Sequence, residues 1–293
     1  MRILIIGGTG MLGHKLVQIL GKRFDVRYTI RGDQRQLESL APFLNRSLAI
    51  SRIDVRDEYI IKKAIEESGP DFVINAAGIV KQRPDSNDVI DTLLVNSILP
   101  HRLAKLAGQI GFRLITVSTD CVFSGRKGNY SESDETDATD IYGRSKQLGE
   151  PENDRTLVVR TSIIGREIGS AHGLVEWFLS QSGRQVTGYR NAIFSGFPTV
   201  VLAGIIAESI IRRPDLAGLY HISAEPISKY ELLSLINERF AAGCRIVPAD
   251  EPRIDRSLDS SRFREITGFK PQSWPEMIAA MHSDSLAVPY RVR

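Results

Sequence analysis

Residues 3–13 of the chain read ILIIGGTGMLG, and this stretch decides the fold. Its consecutive apolar residues predict a buried strand, and the glycines that follow predict a tight turn into a helix. Such a junction directs unpaired backbone N–H groups and the positive end of a helix dipole at one place, which favours an anion there. The glycine spacing is wider than the GxGxxG of most dehydrogenases. Its position after a strand still predicts a dinucleotide site, formed by Gly7, Gly10, Met11, Leu12 and Gly13.

Length and composition limit the class of protein. A chain of 293 residues allows one large domain, or one domain and a smaller lobe. The net charge of +3 and the absence of a Lys/Arg block argue against a nucleic-acid partner, whereas a mildly positive surface suits a phosphate-bearing substrate. No apolar stretch reaches the roughly 18 residues of a membrane span, so no membrane partner is expected.

The sequence also gives expectations about the cellular compartment and about metal binding. The first strand begins at the third residue, which leaves no room for a signal peptide ahead of the fold, so we expect a cytoplasmic protein. Two cysteines are too few for a disulfide framework or a structural zinc site, and the histidines lack metal-ligand spacing. We therefore expect no metal.

Strand and helix patterns alternate over the first 165 residues. The predicted strands are 3–7, 26–30, 48–53, 72–75, 114–118 and 157–160, and the predicted helices are 12–20, 58–67, 89–110 and 142–150. Several strands are apolar without alternation, which is typical of strands covered on both faces. The pattern predicts an α/β fold with a doubly wound parallel sheet of the Rossmann type.

The remaining sequence is less regular. It predicts helices at 174–181, 200–211 and 229–240, an irregular stretch at 188–198 and a strand at 219–223. We expect residues 1–165 to form the dinucleotide-binding domain, with a later segment of about 192–225 returning to it. Residues 166–191 and 226–293 would form a smaller α/β substrate lobe over the carboxyl ends of the strands, where ligands bind in such sheets.

Two segments of the first domain carry reactive side chains. The fifth predicted strand ends in STDCVF (118–123), and the helix after it begins with YGRSK (142–146). Tyr142 and Lys146 share a helix face, and a nearby ammonium lowers the pKa of a tyrosine. The Thr119 hydroxyl, at the strand end, would donate to the same carbonyl oxygen that Tyr142 protonates, while a dinucleotide supplies hydride. Tyr59 and Lys63 have the same spacing without this context, and we interpret Tyr59 as structural.

The full set of motifs resembles the extended short-chain dehydrogenase/reductase family, in the branch of nucleotide-sugar 4-keto reductases typified by dTDP-4-dehydrorhamnose reductase. The resemblance covers essentially the whole chain. The motifs that carry it are the glycine turn, Asn75-Ala76-Ala77-Gly78, Ser118-Thr119-Asp120, Tyr142-Gly143-x-Ser145-Lys146 with Gly149-Glu150, and Arg160-Thr161-Ser162.

This resemblance implies roles for individual residues. Thr119, Tyr142 and Lys146 would be catalytic, and Lys146 would also hold the nicotinamide ribose. Asp54 would meet the adenine amino group. The other implied cofactor contacts are Val55, Ala76, Ala77, Gly78 and Ser118. The resemblance also implies a nucleotide-sugar substrate and a homodimer formed through the two helices that flank the site.

The choice between NADP and NAD depends on the end of the second predicted strand. An arginine there accommodates a 2′-phosphate, and an acidic residue binds the ribose 2′-OH. Arg31 follows the predicted strand directly, and Asp33 lies two residues further on. We expect NADP, with NAD as the alternative.

The chain differs from the rhamnose-pathway reductases at positions that are expected to face the sugar. It has Cys121 and Ile163 where those enzymes usually have aromatic residues, so the identity of the sugar stays open. GDP-fucose synthases, which epimerise and then reduce, place a catalytic cysteine at the position of Cys121 and a histidine for which His172 is the candidate. The structural interpretations are a buried cysteine and a surface histidine. A related branch of the family is a non-catalytic subunit that regulates methionine adenosyltransferase, which is a further alternative.

Several residues are candidates for binding the nucleotide or the sugar. Trp177 would stack on a ring or pack in the lobe, and Arg190 would neutralise a diphosphate or remain solvated. The complete set of substrate candidates is Lys81, Asp120, Cys121, Ile163, His172, Trp177 and Arg190.

Overall fold

A computed structural model of the protein describes residues 1–80 and 88–290. Lys81 lies outside the described residues. The strands are β1 (Arg2–Ile6), β2 (Asp25–Thr29), β3 (Ala49–Ile50), β4 (Phe72–Asn75), β5 (Arg113–Thr119), β6 (Thr156–Thr161), β7 (Ile163–Ile164), β8 (Gln185–Tyr189), β9 (Ala192–Phe194), β10 (Phe197–Pro198), β11 (Gly218–His221), β12 (Ile227–Ser228), β13 (Arg245–Ala249) and β14 (Ile254–Asp255).

The helices alternate with these strands. They are α1 (Gly13–Leu20), α2 (Gln34–Leu40), α3 (Glu58–Ser68), α4 (Val89–Leu93), α5 (Leu99–Ile110), α6 (Ile141–Leu148), α7 (Leu174–Ser180), α8 (Thr199–Ile205), α9 (Lys229–Arg239), α10 (Ser261–Thr267) and α11 (Trp274–Ala287). A π-helical turn, Leu94–Ile98, joins α4 to α5, so the predicted helix at 89–110 is one continuous rod. No helix in the described ranges has both the length and the apolar character needed to cross a membrane.

Seven of the described strands form one parallel sheet in the order β11-β6-β5-β4-β1-β2-β3. This architecture confirms the predicted doubly wound α/β class. Residues Ile3 and Ile5 of β1 pack in one apolar cluster, and Leu4 and Ile6 pack in the other. Because successive side chains of a strand point to opposite faces, both faces of the sheet are covered, which explains its uninterrupted apolar sequence.

The carboxyl ends of β1, β4 and β5 lie side by side. In the register of the sheet, Ile6 is opposite Asn75, and Asn75 is opposite Thr116. The glycine turn, the NAAG segment and the STD segment therefore start from neighbouring strand ends, where parallel sheets of this class bind ligands.

The second half of the chain contributes small sheets. Strand β9 lies between β12 and β14, β8 pairs with β13, and β7 pairs with β10. The stretch at 188–198 thus contains β9 and β10, which are too short to give a periodic signal in the sequence. Within the segment 192–225, β11 joins the main sheet, whereas β9 pairs in a small one.

Candidate active site

The glycine turn is compact enough for backbone to approach a ligand. Gly7 has a φ of +85°, which favours glycine, and a Cβ there would lie 3.0 Å from the Ala77 backbone nitrogen. A Cβ on Gly13 would clash with the Gly7 carbonyl, so that position needs glycine for the start of α1 to pack on the turn. Gly10 is exposed at the tip of the turn. This cradle at a helix N-terminus fits a dinucleotide pyrophosphate.

The residues expected near the adenosine end lie on neighbouring loops. The Asp54 carboxylate is 2.6 Å from the Arg56 guanidinium, which lowers the pKa of Asp54. Arg31 is exposed, and its charge also lowers the pKa of Asp54. Asp33 instead caps α2 by accepting from the Arg35 N–H at 2.9 Å. Val55 follows Asp54 and is partly buried, like Ala76 and Ala77 after β4.

The local sequence around α6 brings its first turn to the end of β5. Asp140 caps the helix by accepting from the Gly143 N–H at 2.9 Å. A Cβ on Gly143 would clash with the Cys121 carbonyl, so glycine permits the close approach. As a result, the Tyr142 phenol lies close enough to the Thr119 side chain for Thr119 to lower its pKa, while the Thr119 hydroxyl itself donates to Asp120 at 3.1 Å. The structure therefore brings Thr119 and Tyr142 together.

The net pKa shift of Tyr142 is opposite to the one expected. Burial raises the pKa of the phenol well above its usual range, and the neighbouring Cys121 and Asp120 act in the same direction. Lys146 is not among the groups that shift it. A tyrosine in this environment keeps its proton at neutral pH, which suits a proton donor but not a base.

Lys146 lies one turn further along α6. Its ammonium donates to the Val117 carbonyl at 2.7 Å. Burial lowers the pKa of Lys146 to about 8, and the Glu150 carboxylate opposes this effect. The ammonium is thus positioned between β5 and α6, on the helix face that it shares with Tyr142.

A buried polar network lies behind Lys146, and we did not predict it. Glu150 accepts from the Ser118 hydroxyl at 2.5 Å and from Arg160 Nη2 at 2.7 Å. Arg160 also approaches His221 Nε2 at 3.3 Å. The Ser118 side chain, expected to contact the cofactor, is therefore engaged with Glu150. The motif pair Gly149-Glu150 and Arg160 was the only signal of this network in the sequence.

Asn96 is a second residue that we did not predict. Its side chain accepts from the Ile79 N–H at 2.9 Å and donates to the Ile79 carbonyl at 3.0 Å and to Ser145 at 3.2 Å. It therefore ties the loop after β4 to α6. Asn96 lies in the π-helical turn, a feature that is frequent at functional sites.

Two cations from the second half of the chain face the loop after β5. The Lys229 ammonium is 4.3 Å from the centroid of the Phe194 ring, and the buried Asp120 and Cys121 raise the pKa of this lysine. Burial still lowers the pKa of Lys229 to about 8. Arg256 donates to the Phe123 carbonyl at 2.7 Å; burial raises the pKa of Asp120, and the charge of Arg256 opposes this effect. The predicted helix at 229–240 placed Lys229 in a first turn, and the capping box of Ser228 and Glu231 fixes that start, but no local pattern points to Arg256.

Cys121 and His172 have different surroundings. Burial and Asp120 raise the pKa of the Cys121 thiol to about 12, so it is protonated at neutral pH. His172 is exposed, and its backbone N–H donates to the Glu167 carboxylate at 3.2 Å. Glu167 also holds Gly173, which packs against Met11 of the glycine turn. His172 therefore sits on a loop beside the glycine turn, and no described contact joins it to Cys121.

The other substrate candidates are spread over the lobe. Trp177 is exposed on α7 beside Phe178, and the exposed Arg190 pairs with Asp250 at 3.4 Å. Ile163 is partly buried in β7. Among residues 1–80 and 88–290, no cluster of three His, Cys, Asp or Glu side chains could hold a metal ion.

A family model described as the RmlD substrate binding domain matches residues 1–286. The chain belongs to this family. The match confirms the resemblance to the dTDP-4-dehydrorhamnose reductase branch. The chain is similar to the spore coat polysaccharide biosynthesis protein SpsK of Bacillus subtilis (27% identity; 94% of this chain and 95% of that protein). It is also similar to a dTDP-4-dehydrorhamnose reductase of Aggregatibacter actinomycetemcomitans (26%; 93% and 95%) and to methionine adenosyltransferase 2 subunit beta of Danio rerio (27%; 94% and 87%).

Solved structures of dTDP-4-dehydrorhamnose reductases share the fold. A hypothetical dTDP-4-dehydrorhamnose reductase from Sulfolobus tokodaii is 28% identical, with a TM-score of 0.77 over 94% of this chain and 98% of that one. The dTDP-4-dehydrorhamnose reductase of Bacillus anthracis, solved in complex with NADP, is 21% identical with a TM-score of 0.79 over 97% and 99%.

Proposed function

We propose that this RmlD-family chain reduces the 4-keto group of a nucleotide-activated deoxysugar with NADPH. The observation that carries the proposal is the close packing of the first turn of α6 against the residues that follow β5, which places the Tyr142 phenol near Thr119 at the carboxyl edge of the sheet. Similarity to dTDP-4-dehydrorhamnose reductases over nearly the whole chain supports the same reaction class.

Three side chains and the bound dinucleotide have separate roles in the proposed reaction. Tyr142 donates its proton to the carbonyl oxygen, and its raised pKa keeps that proton available at neutral pH. Thr119 donates a hydrogen bond to the same oxygen as negative charge develops on it. Lys146, anchored on the Val117 carbonyl, holds the nicotinamide ribose. The bound dinucleotide supplies the hydride.

We assign the pyrophosphate to the turn at Gly7, Gly10, Met11, Leu12 and Gly13. The adenosine end would lie near Asp54 and Val55, and the nicotinamide end near Ala76, Ala77, Gly78 and Ser118. Arg31 is exposed beside Asp54, whereas Asp33 is occupied with capping α2, which supports NADP over NAD. Structures that share the fold have been solved with NADP and with NAD, so the preference for NADP rests on Arg31.

The substrate would enter from the side of the smaller lobe. Lys229 and Arg256 face Asp120 beside the reacting pair, so two cations are available for an anionic nucleotide sugar. The division of the chain into residues 1–165, with a returning segment, and a lobe of 166–191 and 226–293 remains part of the proposal. This division places Lys229 and Arg256 on the lobe and the Tyr142 phenol on the dinucleotide-binding domain.

The test is NADPH oxidation with a panel of 4-keto-6-deoxysugar nucleotides. Tyr142→Phe should lower turnover by about 10²–10⁴-fold while NADPH still binds. Consumption of no panel member, or full activity of this variant, contradicts the proposal. Deuterium uptake from solvent at C3 or C5 of the sugar would instead identify the epimerase–reductase alternative based on Cys121 and His172.

A second candidate function is that of a non-catalytic regulatory subunit. Similarity to methionine adenosyltransferase 2 subunit beta over 94% of the chain favours it. The two functions differ in their readout. A regulatory subunit would bind a dinucleotide without oxidising it in the presence of any ketosugar, and it would change the kinetics of a methionine adenosyltransferase added to it.

We also propose a homodimer formed through the α4–α5 rod and α6. Ile90, Ile98 and Leu148 on these helices are 73%, 42% and 56% exposed. Large exposed apolar side chains grouped on neighbouring helices are typical of subunit interfaces.

The free Cys121 and Cys244 are consistent with the cytoplasmic location that we propose.

A further inference from the structure

The last residue that the structure describes, Tyr290, returns to the glycine turn. Its hydroxyl is 2.8 Å from His14 Nε2, and His14 Nδ1 is 2.8 Å from the Gly10 carbonyl oxygen. The His14 side chain is fully buried at the start of α1. A continuous chain of two hydrogen bonds therefore connects the C-terminal segment to the tip of the turn.

The Tyr290 ring is held between charged groups. The Lys15 ammonium is 5.1 Å from the ring centroid, and the Arg166 guanidinium is 4.8 Å from it. Lys15 is in turn paired with Asp284 of α11 at 2.6 Å. The phenol is thus fixed in place by side chains from α1, from α11 and from the loop after β7.

The two hydrogen bonds of His14 determine its tautomer. Burial lowers the pKa of His14 to about 3, so the ring is neutral and carries one N–H. The Gly10 oxygen only accepts, hence Nδ1 carries the hydrogen and Nε2 accepts from the Tyr290 hydroxyl. Asp284 also lies near this hydroxyl. If the phenol donated to Asp284 instead, Nε2 would need the hydrogen and two lone pairs would face each other at Gly10.

This arrangement fixes one peptide plane of the turn. The Gly10 oxygen accepts from His14 Nδ1 and, at 3.1 Å, from the His14 backbone N–H. Because a trans peptide is planar, the N–H of Met11 points away from the Gly10 carbonyl. The Met11 N–H is therefore turned away from His14 and α1, out of the tip of the turn.

We propose that Tyr290 is a positioning residue for dinucleotide binding. Acting through His14, it holds the Gly10–Met11 peptide in the orientation that presents the Met11 N–H to a pyrophosphate. The inference rests on the proposed function only in assigning the turn to a dinucleotide. It predicts that a residue at the far end of the chain controls cofactor affinity without touching the cofactor.

The experiment compares the NADPH dissociation constants of the wild type and of Tyr290→Phe by fluorescence titration. Phenylalanine keeps the ring between Lys15 and Arg166 but cannot donate to His14. We expect NADPH binding to weaken by about 3- to 10-fold, the value of one hydrogen bond, with unchanged affinity for a nucleotide-sugar substrate. Tyr220→Phe, the same substitution at a buried tyrosine of the edge strand β11, is the matched control and should bind NADPH like the wild type.

The variant His14→Phe provides a second test of the role of Tyr290. It should weaken NADPH binding to the same extent as Tyr290→Phe, and the double variant should be no weaker, because both substitutions break one chain of hydrogen bonds. ¹⁵N NMR of the wild type should show His14 with its proton on Nδ1, a readout that needs no cofactor.

The outcomes separate this inference from the proposed function. Equal NADPH affinity of wild type and Tyr290→Phe, or a His14 proton on Nε2, overturns the inference and leaves the proposed function standing. Failure of the wild type to bind either NADPH or NADH overturns the proposed function, and with it the role of Tyr290.

Discussion

The Glu150 carboxylate lies 2.7 Å from the Arg160 guanidinium, with only 10% and 6% of the two side chains exposed. Glu150 also accepts from Ser118 on β5 and raises the pKa of Lys146 on α6. The pair therefore links the strand that carries Thr119 to the helix that carries Tyr142. Removal of the Glu150–Arg160 pair should affect both the stability of the fold and the reaction.

Glu150→Gln should lower the free energy of unfolding by about 3–5 kcal/mol, because it leaves the buried Arg160 charge without compensation. Urea denaturation followed by circular dichroism measures this change. The exposed pair of Arg253 and Glu251 is the control: Glu251→Gln should cost less than about 1 kcal/mol. Equal effects of the two substitutions would show that the buried pair does not stabilise the fold.

The lowered pKa of Lys146 predicts how the reaction rate depends on pH. Its pKa is lowered to about 8, and the ammonium is the functional form, so kcat/KM should fall as the pH rises through about 8. Glu150 raises this pKa, hence Glu150→Gln should move the decline to lower pH, when assayed where the variant is folded. The nearby exposed Glu152→Gln should leave the profile unchanged. A decline at the same pH in all three proteins contradicts the assignment.

Arg31 should set the preference for NADPH. Arg31→Glu should weaken NADPH binding by about 10- to 100-fold, the value of a charged hydrogen bond, while NADH binding changes little. The ratio of the two dissociation constants is the measurement. Exposed Arg35, in the first turn of α2, provides the control substitution Arg35→Glu. An unchanged ratio in Arg31→Glu would assign the preference to another residue.

Lys229 should act on the nucleotide sugar and not on the cofactor. Lys229→Met should raise KM for the sugar nucleotide by about tenfold or more and leave the NADPH dissociation constant unchanged. Lys229→Arg keeps the charge and should recover part of the loss. Lys270→Met, at an exposed position, is the control. An increase in KM that Lys229→Arg does not reduce would point to packing against Phe194 instead of charge.

Much of the fold was predictable because its signals are local. The apolar run before Gly7 and the glycines after it lie within eleven residues, and the strands buried on both faces are readable one at a time. Short elements were not predictable: β9 and β10 contain three and two residues, which is below any periodic signal. Similarly, the spacing of Tyr142 and Lys146 placed both on one face of a helix, but it did not show that the Lys146 ammonium is held by the Val117 carbonyl.

The sequence by itself determined the class of fold and the position of the glycine turn, because the signals of each strand, helix and turn lie within short stretches of the chain. Tertiary structure alone decided which distant side chains meet them. Lys229 and Arg256 face Asp120, Tyr290 reaches His14, and burial reverses the expected pKa shift of Tyr142. Charge, burial and hydrogen bonding act over a few ångströms of space, and no local pattern records which remote segments the fold brings within that distance.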